Sequence, residues 1–246
     1  MIKVHVIGNK GVVGGATYFT LQQNKDIKLS GSDVKEELFK GADVYMICTP
    51  EATVSDILRK LPKTSSLNVI RSTMRPDILD DLTKEKLDFC VNPEFLKEST
   101  AMWDCYFAKH ILIGEQYSGQ AFLLEEIWSF LNVPIFVTGY KEASMIKIAS
   151  NVYSAMLITM WNYFGIVMDE MDIDSFTVSR ILPMIDERIS KYGTILGAAY
   201  GGKCLPKDVK QLINMCAEKD VSVNLLIEME RINNSFKTEN ISRGGL

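Results

Sequence analysis

The hydrophobic pattern divides the chain into a first part that alternates short apolar runs with amphipathic segments, and a second part that is helical throughout. Ile2-Lys3-Val4-His5-Val6-Ile7 reads as a strand, followed by a glycine loop and an amphipathic run to Gln23. Apolar runs at Asp43–Cys48, Asn68–Arg71, Leu87–Val91, His110–Gly114 and Pro134–Val137 read as further strands. Helical patterns at Val54–Leu61, Ile78–Leu82 and Ser118–Leu131 separate them. This alternation predicts an α/β fold, a Rossmann-like, doubly wound, mostly parallel sheet. In such sheets ligands bind beyond the carboxyl ends of the strands, where Thr49-Pro50, Ser72-Thr73 and Asn92-Pro93-Glu94 fall.

From Lys141 the pattern changes. Lys141 to Met171 contains no Gly or Pro except Gly165 and is apolar on nearly every face, which predicts one helix about 45 Å long. Apolar character all round requires cover all round, from the helix's own domain and from a second subunit. Its most apolar part, Val152 to Met168, contains Asn162 and has charged flanks, so a buried helix is expected rather than a membrane span. Lys147 and Asn151 stand at i and i+4 and project from one face. A snorkelling lysine and a polar seam residue are the alternative. Helices at Ser175–Met184, Lys207–Lys219 and Val223–Asn240 follow. The expected organisation is a Rossmann-like domain over residues 1–139 and an all-helical domain over 140–246, built on the long central helix.

The loop after the first strand, Gly8-Asn9-Lys10-Gly11-Val12-Val13-Gly14, lies between strand and helix, the context of a dinucleotide fingerprint. Gly8, Gly11 and Gly14 would let a pyrophosphate rest on the helix amides. Their spacing is one residue longer than the usual G-x-G-x-x-G, and a structural glycine turn is the rival reading. A short strand at Ile27–Ser30 would bring Asp33, 19 residues after Gly14, to the position of a ribose-binding acid. Alternatively, Asp33 caps a helix Val34–Lys40 with Glu36 completing a capping box, and the adenosine pocket is trimmed.

Candidate chemistry concentrates in Gly201-Gly202-Lys203-Cys204-Leu205-Pro206-Lys207-Asp208. Paired glycines admit a ligand close to the backbone. Pro206 suits the first position of a helix, which would put Asp208 in its first turn and Cys204 just before it. The helix dipole, with Lys203 or Lys207, would then favour the Cys204 thiolate. A glycine-rich turn with one buried cysteine is the plainer alternative.

Composition narrows the choices. The net charge is −4 and no Lys/Arg cluster appears, which argues against nucleic acid as a partner. Five cysteines with no C-x-x-C pair suit reduced thiols in a cytoplasmic compartment. The chain runs straight into a strand, so no signal peptide is expected. The two histidines, His5 and His110, both sit in strand-like runs, so acid–base chemistry falls to Lys, Asp, Glu or Cys and no metal is expected.

Several of these motifs together resemble one family, the UDP-glucose/GDP-mannose 6-dehydrogenases. Gly201 to Asp208 is similar to its catalytic cysteine motif, and Asn92-Pro93-Glu94-Phe95-Leu96-Lys97-Glu98 to its N-P-E-F-L-x-E segment. Ser72-Thr73, Lys147-x-x-x-Asn151 and Asp186-Glu187-Arg188-Ile189 match further motifs in the family's order. The resemblance implies a four-electron oxidation of a nucleotide-sugar C6 hydroxyl to a carboxylate with NAD as cofactor. Cys204 would be the nucleophile, passing through a thiohemiacetal and a thioester. Lys147, Asn151 and Asp208 would hold the reacting oxygen and a water, and Thr73, Glu94 and Glu98 would position the hydrolytic water. NAD would contact Gly8, Gly11, Val13, Gly14, Thr49, Pro50, Thr73 and Lys207. The sugar nucleotide would contact Glu94, Phe95, Leu96, Lys97, Lys147, Asn151 and Gly201. Arg188 would reach the substrate of a neighbouring subunit, which implies a homodimer through the helix 141–171.

Family members carry a third, C-terminal α/β domain, whereas this chain stops at Leu246. The expectation is either a naturally short form, in which a separate chain supplies the missing lobe or a smaller substrate is used, or a truncated piece of a longer protein, in the cytoplasm (a host's, for a viral form). Two rivals remain: a two-electron β-hydroxyacid-type dehydrogenase, which needs no cysteine, and a non-catalytic dimeric binding module.

Overall fold

A computed structural model describes residues 1–33, 36, 40–62 and 66–242, with residues 238–242 given by their backbone alone. The chain divides into two compact units, Met1–Lys147 and Ile148–Leu246. The division falls inside the long helix, rather than at the helix start near residue 139.

The first unit is a seven-stranded sheet of β1 (Ile2–Ile7), β2 (Ile27–Ser32), β3 (Val44–Ile47), β4 (Leu67–Ile70), β5 (Cys90–Val91), β6 (Ile111–Glu115) and β7 (Ile135–Gly139), in the order β2-β1-β3-β4-β5-β6-β7. Every pairing is parallel except β5 with β6, which meet antiparallel at Val91 and Gly114. The inner strands β1, β3, β5 and β6 are largely buried on both faces, as strands under helices on both sides must be, while the edge strands β2 and β7 are more open. Val4, Val6, Val44, Met46 and Val69 point to one face, against α1 (Val12–Leu21), α4 (Ala101–Tyr106) and α5 (Phe122–Trp128). Ile7, Tyr45, Ile47 and Ile70 point to the other, against α2 (Glu51–Lys60) and α3 (Pro76–Lys84). The period-2 alternation thus assigns each strand residue to one of two cores.

Several elements differ from the sequence reading. The second strand is not trimmed to Ile27–Ser30: it runs to Ser32 and pairs with β1 along six residues, from Ile2↔Ile27 to Ile7↔Ser32. The proposed helix at 34–40 lies outside the described residues. The fifth strand shrinks to Cys90–Val91, because the backbone amide of Phe89 is taken by the Gln116 side chain at 2.9 Å instead of by a strand. The helix expected from Ser118 begins at Phe122, after a turn in which Gly119 has φ +87°. The short α4 carries too few turns to show a helical period and has no counterpart in the sequence reading.

The long helix is α6 (Tyr140–Glu170), and α7 (Ser175–Ile185), α8 (Cys204–Glu218) and α9 (Asn224–Ser242) follow. Ile148, Val152 and Ala155 of α6, Val209 of α8 and Leu226 and Met229 of α9 form the core of the second unit, with Tyr200. Asp174 caps α7, its carboxylate accepting from the amides of Phe176 and Thr177. No helix among the described residues is long and apolar enough to cross a membrane.

Candidate functional site

In the first unit, β2 lies on one side of β1 and β3 on the other, so the strand order reverses between β1 and β3. That switch point is where doubly wound sheets take a ligand. Gly8 follows β1 with φ +85°, and a Cβ on Gly14 would stand 2.0 Å from the Gly8 carbonyl oxygen. The loop can therefore fold under α1 only with glycine at position 14. Gly11 is the N-cap of α1, with no side-chain hydrogen bond and no acidic residue over the first turn. The first-turn amides, including that of half-buried Val13, have no intrahelical partner and suit a pyrophosphate.

Thr49, buried just beyond β3, accepts a hydrogen bond from Thr53 at 2.9 Å, and its carbonyl accepts from Ser72. The bond from Ser72 ties the ends of β3 and β4 together. Pro50 is the N-cap of α2. Asp33 follows directly on β2, and its amide donates to the Glu36 carboxylate at 3.1 Å. That contact is the reciprocal half of a capping box. Glu36 also pairs with Lys10 of the glycine loop at 2.8 Å, which draws its carboxyl below the ordinary range. Asp33 thus meets a geometric condition of both sequence readings.

Beyond β5, Asn92 donates to the Leu112 carbonyl at 2.7 Å and fixes the segment that carries Glu94. The Leu96 amide donates to Glu94 Oε2 at 2.7 Å, holding the carboxylate back over its own turn. Lys147, 4% exposed, brings Nζ to 3.9 Å from Glu94 Oε2 and 5.0 Å above the Phe95 ring. A buried ammonium requires such a partner. Leu96 packs against the core, while Lys97 and Glu98 are exposed, Glu98 opening a 3₁₀ turn to Thr100. Thr73 is half-buried between β4 and α3.

In the second unit, Asp208 is fully buried. Asn151 of α6 donates to its Oδ2, and Lys207 Nζ lies 2.7 Å from its Oδ1, an ion-pair distance without hydrogen-bond alignment. α8 begins at Cys204 and not at Pro206, with Lys203 as N-cap. Pro206 is still accommodated, since the amides of the first turn have no intrahelical partner. Asp208 therefore sits one turn into the helix, four residues from Cys204 on the same face. Cys204 is exposed, contrary to the reading of a buried structural cysteine. Gly202 has φ +73°, while a Cβ on Gly201 would meet nothing within 4 Å. Arg188 is exposed and clasped by Asp186 at 2.7 Å.

Two residues that carried no functional reading shape this cluster. Asn162 of α6 accepts from the Gly197 amide at 2.9 Å and donates to the Ala198 carbonyl at 2.8 Å. Asn233 of α9 accepts from the Tyr200 amide at 2.7 Å and donates to its carbonyl at 3.1 Å. The irregular segment leading into Gly201 is thus held by two side-chain amides, each imitating a backbone partner. Asn162 is marked in the sequence as an asparagine within an otherwise apolar helix, while Asn233 stands among other polar residues and carries no such signal.

His5 is spent in the core, its two ring nitrogens within 2.8 and 2.9 Å of Ser30 and Ser32, with burial lowering its pKa. Burial also pushes the thiols of Cys48 and Cys90 up, to about 11 and about 12.

Residues 141–235 match the central domain of the UDP-glucose/GDP-mannose dehydrogenase family. The chain is 32% identical over 238 residues to the GDP-mannose 6-dehydrogenase of Pseudomonas putida, covering 85% of this chain and 54% of that protein. It is 29% identical over 187 residues to a UDP-glucose 6-dehydrogenase of Bacillus subtilis, covering 72% of this chain and 42% of that one. Among solved structures, a UDP-glucose dehydrogenase from Pyrobaculum islandicum superposes with a TM-score of 0.81 at 21% identity, over 96% of this chain and 68% of its own. The chain spans about half the length of the curated relatives it matches.

Proposed function

The chain belongs to the UDP-glucose/GDP-mannose dehydrogenase family, and from that premise we propose that it oxidises the C6 hydroxyl of a nucleotide-sugar to a carboxylate with NAD. The observation that carries this reading is the placement of exposed Cys204 one helical turn from buried Asp208, itself held by Asn151. A two-electron dehydrogenase has no use for that thiol.

NAD supplies the hydride acceptor for each of the two oxidations. Gly8, Gly11, Val13, Gly14, Thr49, Pro50, Thr73 and Lys207 are the residues that would hold it, the first-turn amides of α1 suiting its pyrophosphate. Lys147 and Asn151 hold the sugar C6 oxygen and assist removal of its proton in the first oxidation. Cys204 then adds as thiolate to the aldehyde carbon, forming the C–S bond of a thiohemiacetal. An aldehyde is a poor hydride donor until a nucleophile adds to it. The second oxidation leaves a thioester on Cys204. Thr73, Glu94 and Glu98 position the water that breaks the C–S bond, releasing the carboxylate and returning the thiol. Phe95, Leu96, Lys97 and Gly201 line the sugar nucleotide.

The assembly proposed is a homodimer through α6, in which Arg188 serves the partner's substrate. Its support is apolar surface exposed along the helix, at Ile146, Tyr153, Tyr163 and Phe164 among others. The test is NADH formation from NAD and either GDP-mannose or UDP-glucose, with Cys204→Ser alongside. Turnover that persists unchanged in Cys204→Ser would sink the reading.

A further inference from the structure

Beside the Glu94–Lys97 segment the first unit holds a cavity of about 290 Å³. None of Thr73, Lys147, Asn151, Cys204 or Asp208 lines it. Arg71, just past β4, does, and is only 4% exposed. Its Nη1 donates to Asn92 Oδ1, its guanidinium carbon lies 5.1 Å from the centre of the Trp128 ring, and its Nε is buried without a hydrogen-bond partner. Among the described residues no carboxylate comes within 4.0 Å of the guanidinium.

Arginine does not deprotonate in a protein, so a full positive charge is buried here. Buried charges are ordinarily paired, and neither an amide oxygen nor an indole face carries a net negative charge. Two carboxylates share the cavity wall, and both are engaged elsewhere. Asp104 accepts from the Lys97 amide at 2.9 Å and the Thr100 hydroxyl at 2.8 Å. Glu94 accepts from the Leu96 amide and faces Lys147. Lys109 and His110 lie on the same wall, and Phe107 and Ile111 supply apolar surface.

We propose that this cavity binds a small organic anion, its carboxylate or phosphate paired with Arg71 and its apolar body against Phe107 and Ile111. The volume approaches the lower end of small-molecule sites, about 300 Å³. The cavity shares Glu94, Phe95, Leu96 and Lys97 with the proposed sugar-nucleotide surface, but its anchor, Arg71, has no part in that reading.

The test titrates the full chain with benzoate, phenyl phosphate and inorganic phosphate, followed by calorimetry and tryptophan fluorescence. Saturable one-to-one binding with a Kd of about 1 mM or tighter is expected for at least one organic anion. The benzoate and phenyl phosphate arms tell which head group is preferred, and inorganic phosphate tells what the apolar body adds. Arg71→Met should weaken binding at least tenfold. Lys109→Glu, at an exposed position, should weaken it several-fold while leaving the circular dichroism spectrum unchanged, so the test survives if Arg71→Met fails to fold. No saturable binding of any of the three, undiminished binding in Lys109→Glu, or displacement of the anion by GDP-mannose or UDP-glucose would each overturn the proposal.

Discussion

Asn233 holds both main-chain polar atoms of Tyr200, the residue before Gly201, through the two ends of one side-chain amide. Because Asn233 and Tyr200 are both buried, these bonds have no water to replace them. Asn233→Leu should therefore leave two unsatisfied backbone groups, at a cost of about 1–3 kcal/mol each. Urea denaturation measures the loss. If the segment also sets the placement of Cys204, kcat falls in folded Asn233→Leu protein by more than KM rises.

A second prediction concerns Asn151 and Asp208. Asn151→Ala removes the donor to a fully buried carboxylate oxygen, so destabilisation of about 1–3 kcal/mol is expected, toward the upper end because the acceptor is charged. Asp208→Asn should recover part of that loss in the Asn151→Ala background. Additive effects in the double mutant would show that the two side chains are not coupled.

Gly14 is a glycine the fold needs, and Gly201 is one it does not. Gly14→Ala would press a Cβ into the Gly8 carbonyl oxygen at 2.0 Å and should abolish NAD binding along with stability. Gly201→Ala meets open space, and its stability should change by less than about 0.5 kcal/mol. Its KM for the sugar nucleotide should nonetheless rise. An unchanged KM would remove Gly201 from the binding surface.

Much of this was legible in advance because the physical signals are local. Val4 and Val6 against Ile7, or Met46 against Ile47, alternate in a way only a two-sided sheet explains. α6 declares itself by the absence of any breaker but Gly165. What was not legible depends on distant partners. The start of α8 was misplaced because Pro206 suits the first helical position, although the third serves as well. Asn233 looks like any polar residue of a surface helix until its partner, the Tyr200 backbone, is in place. Arg71 reads as the end of a strand, and only the fold reveals that it is buried beside a cavity.

Thiol reactivity should follow burial. At pH 8 the thiols of Cys48 and Cys90, raised to about 11 and about 12, stay protonated and enclosed, while Cys204 is exposed. Iodoacetamide should alkylate Cys204 first, and Cys48 and Cys90 only after unfolding. Peptide mass spectrometry resolves the order, and equal rates at Cys48 and Cys204 would contradict the structure.

Asp80 links α3 to the start of α6. Tyr140 donates to its Oδ1 at 2.6 Å and Lys141 to its Oδ2 at 3.0 Å, which holds its pKa below the ordinary value. A depressed folded pKa stabilises above the unfolded value of about 3.9 and loses that contribution as pH falls through the folded value. Asp80→Asn should thus destabilise at pH 7, and the gap to wild type should narrow below pH ~4. Parallel stability curves down to acid pH would contradict the assignment.

The central claim is a cysteine-dependent double oxidation, and counting NADH per sugar nucleotide consumed tests it most directly. Two NADH for each GDP-mannose or UDP-glucose, with the carboxylate as product and no turnover to carboxylate in Cys204→Ser, is the predicted result. One NADH per sugar, with an aldehyde or ketone product and no dependence on Cys204, would contradict it.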